Sequence, residues 1–460
     1  MAETNTVREA ILRKTTREMV MQAVQTAWPA MLASFAVNVA GLIDSMMVST
    51  LGKAAVAAVG LTSQPKFIFM TIFISMNIAL SATIARRKGE DRRRDANTTL
   101  LSALTMTVAL VIVLSAVAVG FADPIIRFAG SNADTHADAV LYFRIIMGGF
   151  LCNAVTMCVN SAQRGSGYTR ISMTTNLTSS IVNICFNYLL IGGHLGFPAL
   201  GIRGAAIATV FGSFVATIMS IFSLFRKASY VQIPYMRALG LKPRFDELAR
   251  LLRLASNFVV ENVAMRVGFL ATAMIAARLG TDAFAAHNVG MNLMSLAFSF
   301  ADGLQAASVA LSGEALGAGL PDHAKKYARI CQRIGVGISL TLSLFFIFFG
   351  RWFFSLYFPG DEPVLAISVM ICRFICVIVL LQLSLVVFMG TLRAAGDVRF
   401  TLTVSMISVL GLRTGVTALC VYVFHLGIAG IWLGILADQL TRLLLATFRF
   451  RSGKWIGKKI

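Results

Sequence analysis

Residues 38–52 read NVAGLIDSMMVSTLG and lie within an apolar run that begins near Val24. The run is long enough for a membrane-spanning helix, and a single acid, Asp44, falls near its middle. A charged side chain at the centre of a membrane costs at least about 2.5 kcal/mol on insertion scales. Asp44 is therefore a candidate functional residue.

The composition is that of a polytopic membrane protein. Of the 460 residues, 57% are hydrophobic and 13% are charged, and the mean hydropathy is +0.76. A soluble domain carries about 25% charged residues. Twelve apolar runs predict an all-α fold of twelve transmembrane helices. The runs cover approximately residues 24–50, 56–84, 98–121, 139–162, 171–192, 201–225, 251–277, 283–312, 328–349, 364–391, 400–424 and 427–448.

The net charge is +20, and the basic residues are distributed unevenly between the gaps that separate these runs. Alternate gaps, together with the two termini, hold 30 Lys and Arg residues, whereas the opposite gaps hold five. This bias predicts that both termini and the basic gaps lie in the cytoplasm. The basic run RRKGEDRRRD at 86–95 is accordingly interpreted as a cytoplasmic loop, and no nucleic-acid partner is expected.

The sequence also repeats itself. LGKAAVAAVG at 51–60 matches LGTDAFAAHN at 279–288 at an offset of 228, and GIRGAA at 201–206 matches GIAGIW at 427–432 at an offset of 226. A nearly constant offset predicts two six-helix lobes of the same orientation, with the substrate site between them near the midplane. The predicted division is a cytoplasmic lead-in at 1–20, an N-terminal lobe at 21–226, a linker at 227–250, a C-terminal lobe at 251–450 and a basic cytoplasmic tail at 451–460.

Three stretches carry a family resemblance. Residues 28–61, beginning WPAMLASFAV, resemble the opening helix of the MATE (multidrug and toxic compound extrusion) transporters. ENVAMRVGF at 261–269 is similar to the start of that family's second lobe, and TLRAAGDVRF at 391–400 is similar to a family turn. The resemblance covers essentially the whole chain and is nearest to DinF-like and NorM-like prokaryotic members. It implies a V-shaped pair of lobes that exports amphipathic, often cationic drugs in exchange for protons or sodium.

The resemblance also implies a coupling site in the first lobe. Asp44 corresponds to the family's acid on the first helix, and Asn183 and Asn187 occupy the positions of an Asn and an Asp on the fifth. Pro29 corresponds to a helix-1 proline whose bending is linked to protonation. The amide at Asn187 removes one carboxylate, which favours protons as the coupling ion. Sodium held by Asp44, Asn183 and Asn187 is the alternative, and no cofactor is expected. A purely structural role, in which these side chains join neighbouring helices, is the other alternative.

The second half offers a second polar group. Glu261, Asn262 and Arg266 lie early in the seventh run, and Asp302 and Gln305 lie in the eighth. We interpret the five as a polar network of the C-terminal lobe. Glu261 lies earlier than the cation-binding acid of NorM-like members, so that role is not transferred. A structural ion pair between Arg266 and one of the acids is the alternative.

The sequence therefore predicts a monomeric, multi-pass antiporter of the cytoplasmic inner membrane, surrounded by lipid. It would export amphipathic organic cations in exchange for protons by alternating access. A flippase for lipid-linked precursors is the alternative, supported by Arg266 and Arg413 inside apolar runs. An enzyme is excluded because no clustered catalytic groups are present, and the absence of a P-loop excludes ATP-driven transport.

Overall fold

The computed structural model describes residues 4–227, 229–358, 360 and 362–458, and these residues form helices and no strand. Apolar side chains recurring without interruption favour helices here because only a helix satisfies its own backbone hydrogen bonds in lipid. The helices are α1 (Thr4–Leu12), α2 (Thr16–Ser49), α3 (Lys53–Gly89), α4 (Arg93–Gly120), α5 (Ala122–Phe128), α6 (Ala133–Gly148), α7 (Phe150–Gly165), α8 (Arg170–Gly192), α9 (Ile202–Ser223), α10 (Ile233–Ala238), α11 (Phe245–Arg278), α12 (Thr281–Gly317), α13 (Pro321–Tyr357), α14 (Glu362–Ala394), α15 (Val398–Met406), α16 (Thr414–Ala418) and α17 (Gly427–Arg451).

Ten helical segments of the described chain are long and apolar enough to cross a membrane, or eleven if the bent pair α6 and α7 counts as one span. Each of the twelve predicted runs coincides with a helix or with consecutive helical pieces. One predicted run, 171–192, coincides with α8, a 23-residue helix that is not among the segments long and apolar enough to cross a membrane. Asn183, Asn187 and several hydroxyl side chains lower its hydropathy. The all-α membrane fold is confirmed, and α8 carries two of the candidate site residues.

The described chain divides into two compact units, and the boundary falls inside α2. One unit contains residues 32–88 and 92–256, and the other contains residues 1–31, 89–91 and 257–460. The N-terminal segment belongs to the second unit because Tyr327 donates a 2.7 Å hydrogen bond to Gln22 and because Met19 and Met31 join that unit's apolar core. The predicted lobe boundaries remain predictions. Residues 1–3 of the predicted lead-in and residues 459–460 of the predicted tail lie outside the described residues.

In the unit containing residues 32–88 and 92–256, here the N-terminal unit, α8 packs against α9. Gly212 makes the close approach possible, since a Cβ there would lie 2.8 Å from the Ser179 carbonyl oxygen and 3.2 Å from the Asn183 Cβ. Small residues at helix contacts are the usual means of bringing membrane helices together. Gly212 therefore fixes the backbone of α8 at the level of Asn183.

In the other unit, here the C-terminal unit, the helix between Val398 and Val423 is irregular. Two π-helical turns, Ile407–Arg413 and Leu419–Val423, flank the short α16. A π turn inserts an extra residue into the helix, rotates the side chains that follow, and occurs frequently at functional sites. Arg413 is the last residue of the first π turn.

Pro29 lies inside α2, which is continuous from Thr16 to Ser49. The proline has no backbone N–H and therefore removes one hydrogen bond of the helix. The predicted bend of the first helix at Pro29 remains a prediction.

Candidate functional site

Asp44 is half-buried on α2 and meets the polar face of α8. Its Oδ1 accepts a hydrogen bond from the side-chain amide Nδ2 of Asn187 at 2.5 Å. Asn187 is 0% exposed and Asp44 is half-buried, so the bond is partly shielded from solvent. A charge-assisted bond of this kind is stronger than a bond between two neutral groups. The acid and the amide that the sequence singled out are thus in direct contact.

Asn183 extends this contact to a third helix. The Nδ2 of Asn187 lies 3.5 Å from Oδ1 of Asn183, and Nδ2 of Asn183 donates to Oγ1 of Thr209 at 3.1 Å. Thr209, on α9, in turn donates to the Ala205 carbonyl at 3.0 Å. The chain of hydrogen bonds joins α2, α8 and α9. This geometry suits both a coupling site and the alternative in which the amides hold helices together.

Two residues near Asp44 were missed by the sequence reasoning. Lys66, half-buried on α3, interacts electrostatically with Asp44, but the amide of Asn187 is the hydrogen-bond partner of the carboxylate. Tyr142, on α6, is 2% exposed and lies within electrostatic range of Asp44 and against Thr209. A signal for Lys66 was present, because the charge distribution assigned 35 basic residues to gaps and termini and left six of the 41 inside apolar runs.

The orientation of Asn187 bears on the metal alternative. Its N–H, and not its oxygen, faces Asp44, and its buried Oδ1 has no hydrogen-bond partner among the residues that the structure describes. Sodium requires several oxygen ligands, so the amide would have to turn before Asp44, Asn183 and Asn187 could bind the ion together. Within residues 4–227, 229–358, 360 and 362–458, no group of three or more His, Cys, Asp or Glu side chains could hold a metal.

The structure rearranges the polar network predicted for the second half. Glu261 is 2% exposed and its partners are Arg393, at 2.8 Å, and Ser405, whose hydroxyl donates to Oε1 at 2.8 Å. The guanidinium of Arg393 also lies 5.5 Å from the centre of the Phe258 ring. Arg266 is not the partner of Glu261, so that version of the ion-pair alternative is wrong. The neighbour comes from a helix end 132 residues away, which helical spacing within one run cannot reveal.

The other members of that predicted network do not converge on Glu261. Asn262 donates to the Phe258 carbonyl at 2.9 Å, a bond within α11. Arg266 and Asp302 are exposed, and Gln305 lies against Gly390 on α14. Arg393 and Ser405 thus occupy Oε1 of Glu261, and the five residues do not form one hydrogen-bonded group around this acid.

A different buried cluster occupies the C-terminal unit. Asp438 is 0% exposed and accepts a 2.8 Å bond from Arg442, the i,i+4 pair expected on α17. Arg413, 2% exposed, lies 3.9 Å from the same carboxylate, donates from Nε to Thr272 at 3.2 Å and stacks over the Phe269 ring at 4.4 Å. Two guanidinium groups therefore share one carboxylate, which leaves the cluster with a net positive charge.

The family model MatE matches residues 29–189 and again residues 258–419. The second match begins 229 residues after the first, which agrees with the offset of the internal repeat. The two matches together cover well over half of the chain.

Curated relatives align along nearly the full length. "Probable multidrug resistance protein NorM" of Thermotoga maritima is 26% identical over 442 residues, covering 95% of this chain and 93% of the relative. "Multidrug resistance protein PmpM" of Pseudomonas aeruginosa is 25% identical, covering 86% of this chain and 83% of the relative.

Solved structures agree in fold. One described as the "outward-facing conformation of a multidrug resistance MATE family transporter of the MOP superfamily" is 20% identical, with a TM-score of 0.88 and coverage of 96% of this chain and 98% of the other. A transporter from Pyrococcus furiosus, described by "reverse polarity of binding pocket suggests different function", is 21% identical, with a TM-score of 0.88 and coverage of 96% of both chains. With twelve apolar runs, an internal repeat and a doubled family match, this chain is a multi-pass membrane transporter, not an enzyme, and it belongs to the MATE multidrug efflux transporter family.

Proposed function

We propose that this protein is a secondary antiporter that exports amphipathic organic cations in exchange for protons. The substrate class is supported by the multidrug resistance names of the full-length relatives from Thermotoga maritima and Pseudomonas aeruginosa. The alternation of basic gaps supports an inner-membrane orientation with both termini in the cytoplasm. We expect the protein to act as a monomer.

The observation that carries the proposal is the hydrogen bond between Asp44 and Asn187. An ionised carboxylate can only accept hydrogen bonds, whereas a protonated carboxyl group gains an O–H donor. The amide N–H of Asn187 donates to Asp44, and the amide oxygen has no hydrogen-bond partner among the described residues. Protonation of Asp44 would therefore reverse the bond, with the carboxyl donating to a turned amide. This change couples a proton to the contact between α2 and α8.

Lys66 favours protons over sodium as the coupling ion. Its ammonium group lies within electrostatic range of the Asp44 carboxylate, and both side chains are at least half-buried. A resident cation repels a second cation more strongly where the dielectric constant is low. A proton carries the same charge but needs only one carboxylate oxygen, whereas sodium would have to gather several oxygen ligands beside the resident cation. Sodium remains the alternative coupling ion.

The cycle then has two states of Asp44. With the carboxylate ionised and bonded to Asn187, the N-terminal unit has the geometry that accepts a drug from the cytoplasm. Proton uptake from outside reverses the bond between Asp44 and Asn187 and favours release. Each state binds a different partner, which is the requirement for obligatory exchange.

Everted membrane vesicles provide the test. Dye accumulation is measured under an imposed pH gradient or an imposed sodium gradient for the wild type, Asp44→Asn and the control Asp282→Asn. Asp282 is an exposed acid in the first turn of α12. The wild type and the control should respond to the pH gradient, and Asp44→Asn should fall to the level of vesicles without the protein. Gradient-coupled transport by Asp44→Asn would overturn the proposal.

A flippase for lipid-linked precursors is the second candidate. The buried guanidinium groups of Arg413 and Arg442 favour it, because a net positive cluster suits the phosphates of such precursors. Arg266, an exposed cation within a span, is consistent with it. A deletion strain that keeps normal dye efflux but loses a surface polymer would reverse the order of the two candidates.

A further inference from the structure

A basic cleft lies in the C-terminal unit, between α13, α14 and α17. Its volume is about 680 Å³. Four cationic side chains line it, together with polar and apolar groups. The cations are Lys325, Arg329, Arg333 and Arg451. The proposed transport mechanism does not use any of the four.

Three of these cations form a stripe along α13. Lys325, Arg329 and Arg333 follow one another at intervals of four residues, so they project from one face of the helix. Like charges at this spacing destabilise a helix by a few tenths of a kcal/mol per pair. The three cations that line the cleft therefore repel one another, and an anion bound in the cleft would reduce this repulsion.

Acidic partners for the stripe are scarce. Lys325 lies 3.4 Å from Asp322, whose side chain is 84% exposed. Arg329, Arg333 and Arg451 have no carboxylate within salt-bridge distance in the described part of the chain. A guanidinium group presents five donors, and two such groups can hold a phosphate through paired hydrogen bonds.

Cations immediately beside the cleft have, by contrast, a carboxylate partner. Arg449, two residues before Arg451, donates to Asp397 at 2.7 Å, and Lys458 pairs with the same carboxylate. Asp397 is 1% exposed and thus fully engaged by these two partners. The end of α17 therefore carries both a paired cation, Arg449, and a cation that lines the cleft, Arg451.

The rest of the cleft combines a rigid wall with polar groups. Phe388 and Phe450 pack with ring centres 4.9 Å apart, and Phe450 stacks on Trp455 at 5.5 Å. Gln332 donates to Ser384 at 3.3 Å across the floor. The wall is set by aromatic packing and does not depend on a ligand for its shape.

Apolar surface continues from the cleft along α17. Leu444, which lines the cleft, is 60% exposed, and Phe448 one turn further is 71% exposed. Both lie on a helix that is apolar enough to cross a membrane. A ligand of the cleft would therefore meet cations at one end and a lipid-facing apolar surface at the other. An anionic phospholipid has this distribution of charge and apolar surface, whereas free phosphate does not.

We propose that this cleft binds the headgroup of an anionic phospholipid of the surrounding membrane. The phosphate accepts hydrogen bonds from Arg329, Arg333 and Arg451, and the acyl chains lie along Leu444 and Phe448. The site is separate from the coupling site around Asp44, and its existence does not depend on which substrate or ion is transported.

The test uses the purified full-length protein and measures phosphatidylglycerol binding by native mass spectrometry, with zwitterionic phosphatidylcholine, whose net charge is zero, as the competitor. The double variant Arg329→Gln/Arg333→Gln is compared with Lys326→Gln/Arg399→Gln, which removes two exposed cations of the same unit that do not line the cleft. The first variant should bind phosphatidylglycerol about thirtyfold more weakly than the wild type. The control should stay within about twofold of the wild type, because its cations do not reach the headgroup.

Equal binding by the wild type and both variants would overturn the proposal. Inorganic phosphate and glycerol phosphate are added separately at millimolar concentration, and displacement of the lipid by either one would show that the cleft selects a free anion instead. If the cleft variant does not fold, as judged by circular dichroism, the lipid preference of the wild type tests the proposal by itself. A wild type without preference for phosphatidylglycerol over phosphatidylcholine contradicts the site.

Discussion

Equivalent positions of the internal repeat carry opposite chemistry in the two units. The N-terminal unit has Asp44, bonded to Asn187, and the C-terminal unit has Thr272 at an offset of 228, bonded to Arg413. Arg413 is the repeat counterpart of Asn187, at an offset of 226, which is also the offset between GIRGAA and GIAGIW. A similar helical frame thus holds an acid in one unit and a guanidinium group in the other.

The difference separates a group that can switch from a group that cannot. A carboxyl group can lose its charge by binding one proton, whereas a guanidinium group stays charged at every physiological pH. Asp44 accepts a hydrogen bond from Asn187 and has a cation, Lys66, at longer range. Arg413 is held by Thr272, Asp438 and the Phe269 ring. The first arrangement suits a change of state, and the second suits a fixed buried charge.

The largest expected effect is on stability, in the C-terminal cluster. Asp438→Asn leaves Arg413 and Arg442 buried without their carboxylate, and an uncompensated buried charge costs about 3–5 kcal/mol. Thermal unfolding of the purified protein should therefore begin at a much lower temperature in Asp438→Asn than in Asp44→Asn. Asp438→Asn/Arg442→Gln should recover part of the loss. Equal stability of Asp438→Asn and Asp44→Asn would remove the distinction between the two sites.

A smaller effect, on ion preference, is expected at Lys66. Lys66→Met removes the resident ammonium and leaves near Asp44 the amides of Asn183 and Asn187 and the phenol of Tyr142. Vesicle transport by this variant should gain a response to a sodium gradient, while the wild type responds to the pH gradient alone. Arg144→Gln, which removes an exposed cation of the same unit, serves as the control. A wild type that already responds to sodium would show that Lys66 does not exclude the ion.

The smallest effect is expected from the hydroxyl groups. Thr272→Val removes the acceptor for Nε of Arg413 and should lower the free energy of unfolding by about 1–2 kcal/mol without changing dye efflux. Thr209→Val, the matched change in the N-terminal unit, releases Asn183 and should reduce proton-coupled efflux. Chemical denaturation and vesicle transport measure the two outcomes. Loss of efflux in Thr272→Val would mean that the C-terminal cluster takes part in coupling.

Some contacts of the candidate site could be anticipated because they depend on local spacing. Asn183 and Asn187 share a face of α8 through their i,i+4 spacing, and the same spacing pairs Asp438 with Arg442. Contacts between distant segments were not accessible in this way. Arg393 as the partner of Glu261, and Lys66 as the neighbour of Asp44, depend on how each helix is rotated about its axis.

The amino-acid sequence by itself determined the membrane fold, the repeat and the position of an acid within the first span. These follow from hydrophobic run length and from the cost of a charge in lipid, both of which are properties of the local chain. The tertiary structure alone decided which polar groups meet: Lys66 and Tyr142 with Asp44, Arg413 with Thr272 and Asp438. Helix contacts such as that at Gly212 and the π turn before α16 set the rotation of each helix, and rotation determines which side chains face one another.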